Sequence, residues 1–168
     1  TPAEMFAERF HMDEDLLRAL NPGADFGAPG TEIVVTDPGP PKEGVAVATL
    51  IADKGRRQLL GYDAANRLVV SYPATIGSEE NPSPSGTHLV NAIAPRAAYY
   101  YRPDVNFQQG SNKDPLTIPP GPNNPVGTTW IDLTEPTYGI HSTPEPSLID
   151  KVGSHGCVRL TNWDVQEL

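Results

Sequence analysis

Glycine and proline are too frequent along this chain for a bundle of long helices. The 168 residues include 19 prolines and 15 glycines. Proline breaks helices and removes a backbone donor, and glycine favours tight turns. That much turn chemistry predicts a mainly β, loop-rich fold. With only four phenylalanines and two methionines, the core is expected to be built from valine, isoleucine, leucine and tyrosine, which suit strands.

The charge balance excludes one large class of partners. The formal net charge is −9 and the isoelectric point is about 4.7. Nucleic-acid binding needs clustered lysine and arginine to neutralise phosphates, and the sequence has no such run, so no nucleic-acid partner is expected. No apolar run approaches the length of a transmembrane helix, and the residues from Thr1 onward do not resemble a signal peptide.

Residues 1–37 differ in pattern from the rest of the chain. Thr1-Pro2-Ala3-Glu4 is a capping box with proline at the first helical position, which predicts a short helix. Asp13 predicts the start of a second helix, and Asn21-Pro22-Gly23 predicts its end. A strand is predicted over residues 31–36, Thr-Glu-Ile-Val-Val-Thr.

Strand patterns dominate from residue 45 onward. Apolar stretches bounded by turn residues predict strands at 45–51, 58–62, 67–72, 86–94, 130–133 and 138–141. The preceding residues 38–44 are proline-rich and are predicted to be a linker. The segment 102–128 is too long for a passive connection, which predicts a lid or binding loop. Short helices are predicted at 146–152 and after Thr161.

Cys157 is the only cysteine in the chain, and it follows His141 by sixteen residues within the run Ser154-His155-Gly156-Cys157. A lone cysteine forms no internal disulfide, which leaves a buried apolar role, a metal ligand or a reactive thiol. His141 ends a predicted strand and Cys157 precedes the next apolar stretch. Adjacent strand ends would bring the imidazole and the thiol within reach, which favours a thiol nucleophile with a histidine base.

Other interpretations of these residues stay open at this point. His141, His155 and Cys157 could ligate zinc, although one residue alone separates His155 from Cys157 and no second cysteine supports such a site. We therefore expect no metal. His141 and Cys157 could also be ordinary buried residues.

The motifs around Cys157 resemble a known signature. Gly139-Ile140-His141-Ser142-Thr143 and Ser154-His155-Gly156-Cys157-Val158-Arg159-Leu160 resemble that of the L,D-transpeptidases, the YkuD-like catalytic domain. Pro82-Ser83-Pro84-Ser85-Gly86-Thr87-His88 resembles a further family motif, with His88 where an aromatic residue is common. The resemblance covers residues 45–168, and the family's domain continues past Leu168. Residues 1–37 resemble the back half of a LysM peptidoglycan-binding module without its opening strand.

The resemblance implies a β-sandwich-like catalytic domain with a few short helices. It implies an enzyme of the cell envelope, periplasmic or wall-associated, that needs no cofactor. Cys157 is the expected nucleophile and His141 the expected base, oriented by a backbone carbonyl near Ser142. The N–H groups of Gly156 and Cys157, with His155, are the expected oxyanion donors. The residues expected to contact substrate are Arg159, Ser142, His155, Ser154 and Tyr138.

The resemblance also implies the substrates. A peptidoglycan tetrapeptide stem is the expected donor and an amine of a second stem the acceptor, which gives 3→3 cross-links. Carbapenem-type β-lactams are expected to acylate Cys157. The aromatic residues Tyr99–Tyr101 and Trp130 are expected in or beside a lid over the cleft.

Two alternative functions share the same sequence features. One is an L,D-carboxypeptidase or endopeptidase that uses water as the acceptor. The other is a non-catalytic wall-binding protein. A low thiol pKa at Cys157 would count against it, and a normal, slow thiol would favour it. Arg159 has its own alternative, because its guanidinium could be solvated or paired with Asp150 or Asp164.

Overall fold

The helices and strands are all short. The computed structural model describes residues 1–40, 44–106 and 111–168. Residues 41–43 of the predicted linker and 107–110 of the predicted loop lie outside the described residues. The described helices are Pro2–Arg9 (α1), Glu14–Leu20 (α2) and Asn162–Glu167 (α3). The described strands are Thr49–Asp53 (β1), Gln58–Tyr62 (β2), Leu68–Pro73 (β3), Thr75–Ile76 (β4), Val90–Pro95 (β5), Tyr99–Tyr101 (β6), Leu116–Ile118 (β7), Thr129–Leu133 (β8), Gly139–His141 (β9) and Val158–Arg159 (β10).

The described strands pair into three sheets. One is antiparallel, in the order β1-β2-β3, and a second has the order β4-β10-β9-β8-β5. Within the larger sheet β9 and β10 are parallel, and the other neighbours are antiparallel. The third sheet is the pair β6-β7. A parallel pair needs a crossover connection, and residues 142–157 provide it between His141 and Val158.

Two of these sheets share one apolar core. Leu59, Val70 and Tyr72 of the three-stranded sheet join residues of the five-stranded sheet in a single buried cluster, namely Ile76, Ile131, Ile140 and Val158. Ile76, Val158, Ile140 and Ile131 are opposite one another in successive strands, so they line one face of the sheet. The architecture is mainly β, as the composition predicted, and two sheets pack on one core, in agreement with the sandwich-like fold that the resemblance implied.

Several predicted elements are confirmed with small shifts of their ends. The N-terminal helix has the predicted capping box, since the Thr1 hydroxyl accepts from the Glu4 N–H and the Glu4 carboxylate accepts from the Thr1 amine. The side chain of Asp13 caps α2 by accepting from the N–H groups of Asp15 and Leu16. Strands β2, β3, β8 and β9 and helix α3 also lie where their patterns placed them.

The predicted strand at residues 31–36 is wrong. The segment is extended, but it pairs with a side chain instead of another strand. Asn21 accepts from the Val34 N–H at 2.5 Å and donates to the Val34 carbonyl at 2.8 Å. The run of β-branched residues predicts extended backbone correctly, but it does not reveal whether a partner strand is present.

Other boundaries differ from the predictions. Strand β1 begins at Thr49 instead of residue 45, and β5 begins at Val90 instead of residue 86. The helix predicted at 146–152 is a single 3-10 turn, Pro146–Leu148. The long loop contains strand β7, which pairs with β6.

The N-terminal helices pack directly on the rest of the chain. The Asn162 N–H, at the first turn of α3, donates to Glu8 Oε1 at 2.7 Å. The Ser147 hydroxyl donates to Glu4 Oε1 at 3.1 Å, and Lys151 Nζ lies 2.7 Å from Asp13 Oδ2. Ala3 and Ala7 on α1 are buried. No helix in the described ranges is long and apolar enough to cross a bilayer.

Candidate active site

Strand pairing places the predicted base close in the fold to the loop that holds the predicted nucleophile. His141 in β9 is opposite Arg159 in β10, and Cys157 lies two residues before Arg159, in the loop that leads into the strand. Side chains alternate along a strand, so Arg159 and His141 lie on one face of the sheet, and the core residues Val158 and Ile140 lie on the other.

The imidazole of His141 is buried and has a defined tautomer. Its side chain is 5% exposed, and its Nδ1 lies 2.6 Å from the carbonyl oxygen of Ser142. A carbonyl only accepts hydrogen bonds, so Nδ1 must hold the proton and Nε2 has a free lone pair. Burial lowers the pKa of His141 to about 4; the Ser142 hydrogen bond opposes this shift and the charge of Arg159 adds to it. The ring is therefore neutral at pH 7 and able to accept a proton.

The thiol of Cys157 is also neutral at rest. Burial raises its pKa, and a backbone hydrogen bond from Gly139 and the charge of Arg159 only partly oppose the shift. The thiol donates to the carbonyl of Thr137, with Sγ and O 3.8 Å apart. The pKa of the thiol is thus raised and not lowered, so it does not count against a wall-binding protein. Activation of this thiol requires proton transfer to a base at the moment of attack.

The loop before Cys157 is held by its own side chains. The Ser154 hydroxyl donates to the Cys157 carbonyl at 2.5 Å and accepts from the Gly156 N–H at 3.2 Å. Gly156 has a φ of +105°, a conformation that L side chains rarely adopt, and a Cβ there would lie 2.4 Å from Tyr138 Cε1. Glycine is therefore required here, because the turn and the tyrosine ring leave no space for a side chain.

The five residues predicted to contact substrate have different surroundings. Ser142 and Ser154 are buried and bonded to backbone groups, so their hydroxyls support the site from beneath instead of facing its opening. Tyr138 and Arg159 are half-buried, and His155 is exposed. Among the described residues, no salt bridge joins Arg159 to Asp150 or Asp164.

Trp130 has a closer relation to the site than the sequence suggested. It is opposite His141 in the antiparallel pair of β8 and β9. The two rings stack, with centroids 5.4 Å apart and planes inclined by 18°. Trp130 thus covers the predicted base and contributes to its desolvation. Among the other aromatic residues predicted in or beside the lid, Tyr100 is exposed. The sequence alone could not predict this contact, because it depends on the register in which β8 and β9 pair.

A metal centre finds no support in the part of the chain that the structure describes. There, no three His, Cys, Asp or Glu side chains are grouped so that they could hold a metal ion. His141 Nδ1 is already bonded to a carbonyl, and Cys157 faces the Thr137 carbonyl. A neutral imidazole with a free Nε2 lone pair and a neutral thiol beside a glycine-dependent turn are the groups that thiol-based nucleophilic catalysis requires.

Comparison with known proteins agrees with this class of site. The family profile of the L,D-transpeptidase catalytic domain matches residues 48–168, and the chain belongs to this family. A Bacillus licheniformis protein named as an L,D-transpeptidase, YkuD, is 30% identical over 98% of this chain and 84% of its own length.

Solved structures show the same fold at lower identity. An L,D-transpeptidase from Mycobacterium smegmatis has a TM-score of 0.53 and 19% identity, over 70% of this chain and 50% of its own. The L,D-transpeptidase LdtMt1 in complex with imipenem has a TM-score of 0.50 and 18% identity, over 67% of this chain and 48% of its own. This chain thus spans about half the length of each solved chain.

Proposed function

We propose that this protein is a peptidoglycan L,D-transpeptidase that forms 3→3 cross-links through a thioester on Cys157. The observation that supports the proposal most is the neutral imidazole of His141, with its proton on Nδ1, opposite Arg159 and hence two residues in register from Cys157. Family membership supplies the substrate class, and its members act on peptidoglycan. The expected location is the cell envelope, periplasmic or wall-associated.

The first half-reaction transfers an acyl group to sulfur. The Cys157 sulfur attacks the carbonyl carbon of the third stem residue while His141 Nε2 takes the thiol proton. The carbonyl electrons move to oxygen, which the N–H groups of Cys157 and His155 are proposed to stabilise. The Gly156 N–H, expected from the sequence to be a third donor, is instead donated to the Ser154 hydroxyl. When the carbon–nitrogen bond breaks, the imidazolium returns the proton to the leaving D-alanine, and a thioester remains.

The second half-reaction restores the thiol. An amine of a second stem attacks the thioester and passes a proton to His141, which returns it to the departing sulfur. The overall exchange replaces one amide with another, so no external energy source or cofactor is needed. Arg159, Tyr138 and His155 are proposed to hold the stem peptide, with the guanidinium facing its carboxylate.

Intact-mass spectrometry with a disaccharide-tetrapeptide tests this proposal, and the small products are analysed in parallel. We expect a thioester adduct, released D-alanine and a cross-linked dimer from the wild type, and none of these from Cys157→Ala. The variant should fold normally, which circular dichroism and thermal melting check. Tripeptide without dimer would indicate hydrolysis with water as the acceptor. A folded wild type that forms neither adduct nor product would favour a wall-binding protein.

Carbapenems provide an independent probe of the same thiol. Their strained carbonyl resembles the donor amide, and one solved L,D-transpeptidase is a complex with imipenem. We expect imipenem to add its mass to the wild type and not to Cys157→Ala. Any adduct on Cys157→Ala would place the reactive group elsewhere.

For the N-terminal segment, we propose a LysM-like remnant that is docked on the catalytic domain and does not bind glycan by itself. Its contacts through Glu4 and Glu8 support docking. Half of so small a module can hardly bury a core of its own. Co-sedimentation of the full chain with glycan strands stripped of stem peptides should therefore show no saturable binding, and saturable binding would contradict this proposal.

A further inference from the structure

The motif at residues 82–88 includes a serine that the proposed mechanism does not use. The Ser83 hydroxyl donates to the carbonyl oxygen of Gly156 at 2.6 Å. Ser83 is half-buried and Gly156 is buried. A side chain far away in sequence thus contacts the residue immediately before the nucleophile.

The turn that presents Ser83 is itself well supported. It follows β4, which pairs with β10. Gly77 has a φ of +56°, and a Cβ there would lie 2.5 Å from the Ser83 nitrogen. The Ser154 N–H donates to the Gly77 carbonyl at 3.0 Å, so this turn and the nucleophile loop are joined at a second point. The Ser78 hydroxyl accepts from the Asn81 N–H at 2.9 Å, which closes the turn.

The hydrogen bond from Ser83 fixes the orientation of the peptide unit between Gly156 and Cys157. The described peptide bonds are all trans, and the C=O and N–H of a trans peptide point in opposite directions. A hydrogen bond that holds the Gly156 carbonyl therefore also orients the N–H of Cys157. This N–H belongs to the nucleophile's own residue, which places it near the carbonyl oxygen under attack. The neighbouring Gly156 N–H is already donated to Ser154.

We propose that Ser83 is a positioning residue, which aims the Cys157 N–H at the developing oxyanion by holding the Gly156 carbonyl. The inference rests on the proposed function, since it requires an acyl transfer at Cys157. Ser83 touches neither the substrate nor the thiol in this arrangement. Its effect is confined to a step in which a carbonyl oxygen gains charge.

Two reactions of the same thiol separate this role from a structural one. Release of D-alanine from disaccharide-tetrapeptide passes through an oxyanion, whereas alkylation by iodoacetamide at a saturated carbon does not. We expect Ser83→Ala to lower kcat for D-alanine release about tenfold, less than the effect of deleting an oxyanion donor directly. KM and the alkylation rate should stay within twofold of wild type.

Two further variants serve as controls. Ser83→Thr keeps the hydroxyl and should restore kcat to within about threefold of wild type. Ser85→Ala removes a hydroxyl from the same motif, at an exposed position, and should have no effect. Thermal melting of all variants checks the fold.

The possible outcomes are distinct. Unchanged kcat in Ser83→Ala would overturn the positioning role while the proposed function stands. Parallel losses of D-alanine release and alkylation would also overturn it, because the thiol itself would then be impaired. A wild type that is alkylated but releases no D-alanine would contradict the proposed function, and the role of Ser83 with it.

Discussion

The resting protonation state of Cys157 and His141 decides how the thiol is activated. Burial raises the pKa of the thiol and lowers the pKa of His141 to about 4, so both groups are neutral at pH 7. A preformed ion pair would require the opposite order of the two pKa values. The proton therefore moves during attack, and the tautomer set by the Ser142 carbonyl leaves Nε2 free to receive it.

The pH dependence of alkylation tests this resting state. We expect the rate constant of iodoacetamide with Cys157 to rise about tenfold per pH unit between pH 7 and 8.5, because only the thiolate reacts and its fraction is still increasing. Label incorporation followed by mass spectrometry measures the rate, and Cys157→Ala should take up no label because the chain has no other cysteine. A rate that levels off below pH 7 would reveal a preformed thiolate and imidazolium.

At the scale of elements, the turn between the crossover and β10 has a strict steric requirement. Gly156 combines a φ of +105° with contact distances that leave no room for a side chain beside Tyr138. We expect Gly156→Ala to lower the free energy of unfolding by roughly 2 kcal/mol and to abolish most activity, because the turn must distort.

Gly121 provides the matched control for this substitution. A Cβ there would meet nothing within 4 Å. Gly121→Ala should change the free energy of unfolding by less than about 0.5 kcal/mol. Urea denaturation of the two variants measures the difference. Equal effects would mean that the turn before Cys157 has no special steric requirement.

Sequence patterns predicted elements well where the signal is local. The capping box of Thr1 and Glu4 and the strands on either side of the turn at residues 63–66 depend on neighbouring residues, and the structure confirms them. The strand prediction for residues 31–36 was wrong, because a strand needs a partner strand and here the side chain of Asn21 bonds the backbone of Val34 instead. Periodicity cannot reveal such a side-chain partner.

The sequence predicted the chemical groups of the candidate site but not the contacts that hold them in place. His141 and Cys157 stand out by residue type and spacing, and the parallel pairing of β9 and β10 puts His141 opposite Arg159, two residues after Cys157. The stacking of Trp130 on His141 and the bond from Ser83 to Gly156 depend on register and on long-range packing. Those contacts join residues that no local pattern relates.

For the whole molecule, the N-terminal helices and the catalytic domain share a charged contact. His11 Nδ1 lies 2.9 Å from Asp164 Oδ1, and a cavity of about 160 Å³ lies beside this pair, between the helices and the domain. The contact with Asp164 raises the pKa of His11, and burial opposes the shift. The docked helices are therefore linked to the domain by a pair that is strongest while His11 is protonated.

His11 and His141 should give the stability of this protein opposite dependences on pH. The pKa of His11 is raised, so its contribution is complete below about pH 6.5, the unfolded pKa, and is lost as the pH rises through the folded value. The pKa of His141 is lowered to about 4, so the unfolded state binds the proton first. Its burial therefore destabilises the fold progressively as the pH falls from 6.5 to 4, by up to roughly 3 kcal/mol.

Urea denaturation between pH 4.5 and 8.5 separates the two effects when the wild type is compared with His11→Gln and His141→Gln. The stability lost in His11→Gln should be larger at pH 6 than at pH 8.5, because the protonated ring pairs more strongly with Asp164 than the neutral ring does. The stability of His141→Gln relative to wild type should increase as the pH falls below 6.5, since glutamine has no proton to exclude. Carboxylates that interact with neither histidine titrate alike in all three proteins and cancel in these differences. Parallel pH profiles for the three proteins would mean that neither histidine has a shifted pKa in the folded chain.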